Sequence, residues 1–314
     1  MSVAKGSVRL WSLLVAVTVF SGLTPVAAGF ATEELPPLTL ALVRFGIAGI
    51  LLRLTASALR LSIRFQPNDR WLLVLLGAIC VPVNQAAFLF GVRLANASHA
   101  GIAYALVPVL VFWLTLALGT ARLSARMMLA TVLAFLGAVA ASYNAHGVRG
   151  GDASAVAGDV ARVLLGDGLL FAAALSWSVF IILSQDLVKR AGAVQTLSAV
   201  FLIGAAMQVP LAIVDGLYLD AARFTWASVT WRGLGGFAFI TLITAYTNFL
   251  LFYLVLARYD VTRASIVTNS SFLIAVLVDA AITKTTLSLW VAVGSVLLFT
   301  GIGLTRHDSD ATGS

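Results

Sequence analysis

The chain has 314 residues, of which 61% are hydrophobic and 11% are charged. A soluble domain has about 25% charged residues, so a globule of this composition would leave extensive apolar surface in water. A mean hydropathy of +1.01 excludes disorder, and a single cysteine excludes a disulfide-stabilised scaffold. The net charge is +7, but the basic residues are spread singly between apolar runs, which argues against a nucleic-acid-binding surface. The composition therefore predicts a membrane protein with several spans.

Ten apolar segments are long enough to cross a bilayer as helices, since about 20 residues at about 1.5 Å each span the hydrocarbon core. Strands of a membrane β-barrel would be segments of about ten residues with alternating polarity, and these runs are longer and apolar on most faces. The fold class is therefore an all-α integral membrane protein with ten transmembrane helices. The predicted spans are residues 8–30, 37–59, 71–92, 97–118, 124–143, 166–185, 196–217, 231–256, 261–283 and 287–305.

The first span also has features of a cleaved signal peptide. Lys5 and Arg9 precede an apolar run, and small residues follow at Val26-Ala27-Ala28. The run is long for a signal peptide and has a counterpart in the second half of the chain, so we expect it to remain as a span.

The loops of one side carry twice as many basic residues as those of the other. This asymmetry predicts a multi-pass protein of the cell inner membrane with both termini in the cytoplasm.

The two halves of the sequence match when one is shifted by 164 positions. This predicts a first five-helix repeat in residues 1–146, a polar periplasmic linker in 147–165, a second repeat in 166–306 and a cytoplasmic tail in 307–314. A repeat with an odd number of spans must be inverted in the membrane, and inverted repeats form a site at their interface near the midplane. This organisation favours a transporter over a duplicated bundle without transport. The matched pairs include Asn84 with Asn248, Phe88 with Phe252, Ala100 with Ala264, Ile102 with Ile266, and Phe135 with Phe299.

The segment from Leu94 to Leu110 resembles a hallmark of the drug/metabolite transporter superfamily, in its EamA branch. Small residues lead into Ser98, and Pro108 begins an aliphatic run. Two further positions resemble ones at which the family frequently has the same residue. They are Arg44, which follows a helix start led by a proline, and Trp177 in the sixth span. The resemblance covers nearly the whole chain as two five-span units. It implies export or exchange of small metabolites such as amino acids, nucleosides or amphipathic cations.

The sequence also departs from the family pattern. Members often have a Glu at the membrane edge after the Pro-led helix, and here the corresponding places fall near Thr120 and Lys284. The second repeat has Phe272 where the first has Pro108. Any family role of those residues therefore does not carry over.

Ionisable side chains inside spans are costly, and each is a functional candidate. Arg44 lies about 10 Å inside its boundary at 1.5 Å per residue, and Asp279 has a comparable depth in the ninth span. The two could form an ion pair, or Arg44 could receive an anionic group such as a carboxylate. The structural alternatives for Arg44 are snorkelling or a structural hydrogen bond to backbone carbonyls. For Asp279 they are a pair with Lys284 or a position among the outer headgroups. His99 begins the fourth span and either titrates near neutral pH or has a structural role.

Neutral polar and aromatic side chains in mid-span are the candidates for a substrate cavity, because such groups turn from lipid towards a bundle interior. Each could instead hydrogen-bond a neighbouring helix or pack in the core. Clusters that recur at matched positions in both halves favour the cavity. The predicted cavity residues are Asn84, Gln85, Tyr104, Trp177, Tyr246, Asn248 and Asn269.

The sequence thus predicts a transporter that exports or exchanges small organic metabolites by alternating access through a central cavity. No mid-span acidic residue suits proton coupling, which favours a facilitator or exchanger. Partners are a small-molecule substrate and the lipid bilayer, with no nucleic acid; no cofactor or metal is expected, and a monomer is expected to suffice. A lipid or drug-like amphiphile flippase, a passive channel and a membrane-embedded enzyme remain alternatives, although no catalytic set is apparent.

Overall fold

A computed structural model of the chain describes residues 2–62, 65–119, 125–126, 128–129, 132–133, 136–137, 153–215, 228–256, 271–284 and 289–311. This part of the chain is helical and contains no β-strand. The helices in chain order are α1 (Ser2–Glu34), α2 (Pro37–Ala58), α3 (Asp69–Ala78), π1 (Ile79–Val83), α4 (Asn84–Leu94), α5 (Ala97–Ala105), α6 (Val107–Ala117), α7 (Ala153–Ala191), α8 (Ala193–Val214), α9 (Trp231–Ala238), π2 (Phe239–Asn248), α10 (Phe249–Leu256), α11 (Ser271–Thr283) and α12 (Leu289–Ala311).

Seven helical stretches in the described residues are long and apolar enough to cross a membrane. They match the first four predicted spans and the sixth to eighth, and the multi-span character of the protein is confirmed. The fifth predicted span falls largely outside the described residues, and the ninth is described only from Ser271 onward. The tenth corresponds to α12, whose apolar part is Ala292–Gly301. The count of ten therefore stays a prediction.

Helix α7 is longer than the sixth predicted span of 166–185. It begins at Ala153 and ends at Ala191, so it includes much of the segment predicted as a linker. The linker was predicted because this segment is polar and rich in Gly and Asp, but it is also rich in Ala, the residue with the highest helix propensity. The division into two repeats at this segment stays a prediction.

Helix α2 begins without a capping side chain of its own, because Pro36 occupies the N-cap position. Asp215, directly after α8, supplies the cap instead. Its Oδ2 accepts hydrogen bonds from the backbone N–H groups of Leu38 at 2.7 Å and Thr39 at 3.1 Å. Gln208 Nε2 also donates to the carbonyl of Leu38 at 3.2 Å. A carboxylate at a helix N-terminus stabilises both the free N–H groups and the helix dipole, so this contact fixes α8 against α2.

The halves of the chain also pack through small residues. A Cβ atom on Gly204 of α8 would lie 2.7 Å from the carbonyl oxygen of Gly77 in α3. Only glycine permits this approach, which is typical of helix packing in membranes. Around it, Phe45, Leu76 and Phe201 are buried in a core shared by α2, α3 and α8. This core fixes the positions of α2, α3 and α8 relative to one another.

Candidate functional site

Two π-helical segments interrupt matched spans of the two halves. π1 spans Ile79–Val83, and a shift of 164 positions places it on residues 243–247, inside π2. π1 contains Pro82, which has no N–H for a normal helical hydrogen bond. π2 has no proline; there the Thr247 hydroxyl donates to the carbonyl of Leu242, five residues earlier, at 2.9 Å. π segments inside α-helices are rare and frequently occur at functional sites.

The two π segments adjoin a cavity of about 130 Å³ between helices of both halves. One buried water needs roughly 10–15 Å³ of such space, so the cavity has room for on the order of ten waters or one small organic molecule. Its walls combine hydroxyl, amide, aromatic and guanidinium groups. The lining residues are Ser21, Thr24, Pro25, Arg44, Asn84, Gln85, Phe88, Gly101, Tyr104, Val107, Trp177, Thr244, Asn248, Phe249, Phe252, Ser271 and Ala275.

Asn84 is the centre of the polar network on one side of the cavity. It directly follows π1 and is 2% exposed. Its Nδ2 donates to the carbonyl of Ala173 at 2.7 Å and lies 3.0 Å from Ser176 Oγ and 3.3 Å from Tyr104 OH. Its Oδ1 accepts from Gln85 Nε2 at 2.7 Å. Asn84 therefore joins α4 to α7 and fixes the amide of Gln85.

Arg44 completes this network from α2. Its side chain is buried, with the whole residue 2% exposed. Nη1 donates to Gln85 Oε1 at 2.8 Å, and Nε donates to the carbonyl of Ile240 in π2 at 2.8 Å. The guanidinium carbon also lies 5.0 Å from the ring centroid of Phe45, within the range of a cation–π contact. Arg44 thus links the residues after π1 to the backbone of π2.

The opposite side of the cavity has fewer contacts and only neutral groups. Asn248, the last residue of π2, donates from Nδ2 to Ser21 Oγ at 3.0 Å. Its buried Oδ1 has no hydrogen-bond donor among the described residues. The hydroxyls of Thr24 and Thr244 share a hydrogen bond at 2.9 Å, and Thr24 also donates to the carbonyl of Phe20. These bonds tie α1 to π2.

Aromatic rings form a third wall. The ring of Trp177 in α7 lies 5.1 Å from Phe249 and 5.8 Å from Phe252, centroid to centroid. Phe88 and Tyr104 form an edge-to-face pair at 5.7 Å. Such a wall offers apolar area and ring faces to an aliphatic or aromatic part of a solute.

The structure places five of the seven predicted cavity residues, Asn84, Gln85, Tyr104, Trp177 and Asn248, in the lining of one cavity, and Arg44 joins them. Tyr246 is not among the lining residues; its hydroxyl shares a hydrogen bond of 2.8 Å with Thr55. Asn269 lies outside the described residues, as does the side chain of Asp279. The suggested pair between Arg44 and Asp279 therefore stays a prediction.

His99 also lies away from the cavity lining. Its Nδ1 is 2.5 Å from Oδ1 of Asp167 in α7, and the His99 side chain is 1% exposed. The backbone N–H of His99 donates to Asn96 Oδ1, which caps α5. In this structure His99 joins α5 to α7. Within the described residues, no group of three His, Cys, Asp or Glu side chains is placed to hold a metal ion.

Several residues that line the cavity, or that fix the helices around it, were not predicted from the sequence. Phe88, Phe249 and Phe252 line the cavity. The match of Phe88 with Phe252 was a signal for two of them, but a phenylalanine that faces lipid has the same local sequence context. Asp215 was also missed, although a signal existed: a Pro-led helix without a cap of its own needs an acceptor from elsewhere. Asp69 and Arg190 form an ion pair of 2.8 Å between α3 and α7 that no local pattern indicated.

The fold and the cavity define a multi-pass membrane protein with a cavity between its two halves. The profile of the EamA-like transporter family matches residues 9–143 and 164–306. The chain therefore belongs to the EamA-like transporter family, as two consecutive family units. None of the curated proteins matches the sequence significantly. One crystal structure superposes with a TM-score of 0.67 over 98% of this chain and 99% of its own, at 16% identity, and supports the same fold.

Proposed function

We propose that this protein exports or exchanges small organic metabolites, such as amino acids or similar amphipathic solutes, by alternating access. The observation that carries the proposal is the cavity between two matched interruptions, with Asn84 and Asn248 beside π1 and π2. Sites at repeat interfaces, next to interrupted helices, are the arrangement expected of carriers built from inverted repeats. The proposal includes ten helices in two inverted repeats, in the cell inner membrane, with both termini in the cytoplasm.

Contacts between the two halves at both ends of the bundle support alternating access. With the proposed orientation, two lie at the periplasmic end and one at the cytoplasmic end. Since all are formed in this structure, one end must separate for a solute to enter and the other for it to leave. The three contacts are His99 with Asp167, Glu34 with Thr230, and Asp69 with Arg190.

The chemistry of the cavity supports an organic solute over an inorganic ion. Its lining combines neutral hydrogen-bonding groups with the ring faces of Trp177, Phe249 and Phe252. Within the described lining no carboxylate is available for proton exchange, which supports a facilitator or exchanger. Binding then depends on shape, ring contacts and hydrogen bonds.

Counterflow in proteoliposomes tests the proposal, with a panel of labelled amino acids and nucleosides and with or without a pH gradient. We expect saturable exchange of at least one solute that is independent of the gradient. Trp177→Leu should weaken it about tenfold or more, since an aromatic contact in the cavity is lost. Trp231→Leu is the matched control, because Trp231 is 82% exposed and outside the lining. Accumulation driven by the gradient would contradict the facilitator, and absence of flux for every solute would contradict the transport proposal.

A further inference from the structure

The cavity contains a buried positive charge that no described carboxylate neutralises. Arg44 is 2% exposed and lines the cavity, and every other described lining residue is neutral. A guanidinium remains protonated in proteins, and a buried charge is costly unless a partner of opposite charge or several hydrogen bonds compensate it. In the described part of the chain, the acceptors of Arg44 are two neutral oxygens, those of Gln85 and Ile240.

From this we infer that the transported solute has an anionic group, a carboxylate, and that Arg44 binds it. The inference rests on the proposed transport function and specifies the substrate class of the same cavity. The two described acceptors engage Nε and Nη1, so Nη2 has no acceptor among the described residues. A guanidinium has more donors than these two bonds use, and its planar fork suits a carboxylate. A carboxylate in the cavity supplies an acceptor for Nη2 and a negative charge, neither of which the described residues provide.

The surroundings of Arg44 fix the guanidinium before a solute arrives. Gln85 is held by Asn84, which is itself bonded to the backbone of α7. The Ile240 carbonyl belongs to π2, so the guanidinium is oriented from both halves of the molecule. A donor that is already oriented loses little freedom on binding, and this raises affinity for an anion of matching position.

The same charge selects against cations. An amphipathic cation in a cavity of about 130 Å³ would lie close to Arg44 with no described carboxylate to compensate the repulsion. Repulsion between like charges inside a protein cavity discriminates against the wrong ligand. Trp177 and the two phenylalanines beside it then contact the apolar remainder of the solute. The expected substrate class is a small carboxylate with an aliphatic or aromatic side.

A purely structural role for Arg44 makes a different prediction. Its bonds to Gln85 and Ile240 would stabilise the fold whatever the charge of the solute. The discriminating measurement is therefore the dependence of binding on solute charge at constant shape. Hydrocinnamate, its neutral amide hydrocinnamamide and the cation phenylpropylamine provide such a set.

We would measure binding of these three compounds to the full chain in nanodiscs, and counterflow of each of them in proteoliposomes. Wild type should bind hydrocinnamate about 10- to 100-fold more tightly than the amide, and the amine most weakly, as expected for a charge-assisted hydrogen bond. Arg44→Gln should abolish the preference, and Arg44→Lys should retain part of it. Arg53→Gln is the control, since it removes one charge from an exposed position of the same helix.

The wild-type comparison alone is decisive if Arg44→Gln fails to fold. Equal binding of the three compounds, or binding of none, overturns the inference. A preference for hydrocinnamate that persists in Arg44→Gln overturns it as well. Selective, Arg44-dependent binding without any counterflow would support the anion site and contradict the transport function. Flux of neutral or cationic solutes alone would leave transport standing and overturn the anion site.

Discussion

The two sides of the cavity occupy matched positions of the repeat but differ in chemistry. On one side Asn84 has four hydrogen-bond contacts and anchors the Gln85–Arg44 chain. On the other, Asn248 has one described bond, to Ser21, and a buried oxygen without a described donor. The two halves thus each place an asparagine at a π segment. The residues around Asn84 form a hydrogen-bonded network that includes the charged Arg44, whereas the residues around Asn248 are neutral and form fewer hydrogen bonds. A cavity with this asymmetry can orient a solute.

The largest expected effect separates the two asparagines. Asn84→Ala leaves Gln85 Nε2 without its acceptor and breaks the bond between α4 and Ala173, so we expect a loss of about 1–3 kcal/mol in the free energy of unfolding. Asn248→Ala removes one described bond and an oxygen that has no donor among the described residues, and should cost less than about 1 kcal/mol. Unfolding titrations in mixed micelles measure both. Equal losses would mean that the two sides are energetically equivalent.

The smallest expected effect tests the neutral side alone. Thr244→Val keeps the shape of the side chain but removes its bond to Thr24, and should cost about 0.5–1 kcal/mol of unfolding free energy. Adding Thr24→Val should cost little more, because the Thr24 hydroxyl then has only its bond to the carbonyl of Phe20 within its own helix, and such bonds add little to helix stability. The same micelle titrations, with Thr300→Val on α12 as the control, measure the difference. The explanation would be contradicted if the double variant lost at least twice the unfolding free energy that Thr244→Val loses alone.

The sequence predicted the class of fold and part of the site for physical reasons. Long apolar runs indicate spans directly, and the match of Asn84 to Asn248 indicated which polar residues face the interior. Polar groups are conspicuous in an apolar helix because lipid exposure is costly, so they can be recognised without a structure. The profile of the family confirms the resemblance seen in the sequence.

The rest could not be predicted because apolar helices do not reveal which face is turned to lipid. Phe249 lines the cavity, whereas Leu254 in the same helix is 41% exposed, and nothing in the local sequence separates them. π1 contains Pro82 whereas π2 has no proline, so no shared sequence signal indicates both segments. The cap of α2 by Asp215 joins residues 177 positions apart and depends on tertiary packing.

The most direct test of the central claim is the accessibility of the cavity from each side of the membrane. Ser21→Cys introduces a conservative thiol in the lining, in a Cys80→Ala background that removes the buried native cysteine. Leu54→Cys, at a site 59% exposed on the membrane-spanning helix α2, is the control. Alternating access predicts that a membrane-impermeant thiol reagent labels Ser21→Cys in both right-side-out and inside-out vesicles, that a transported solute slows the labelling, and that Leu54→Cys is not labelled. Labelling from one side only, unchanged by any solute, would contradict the account.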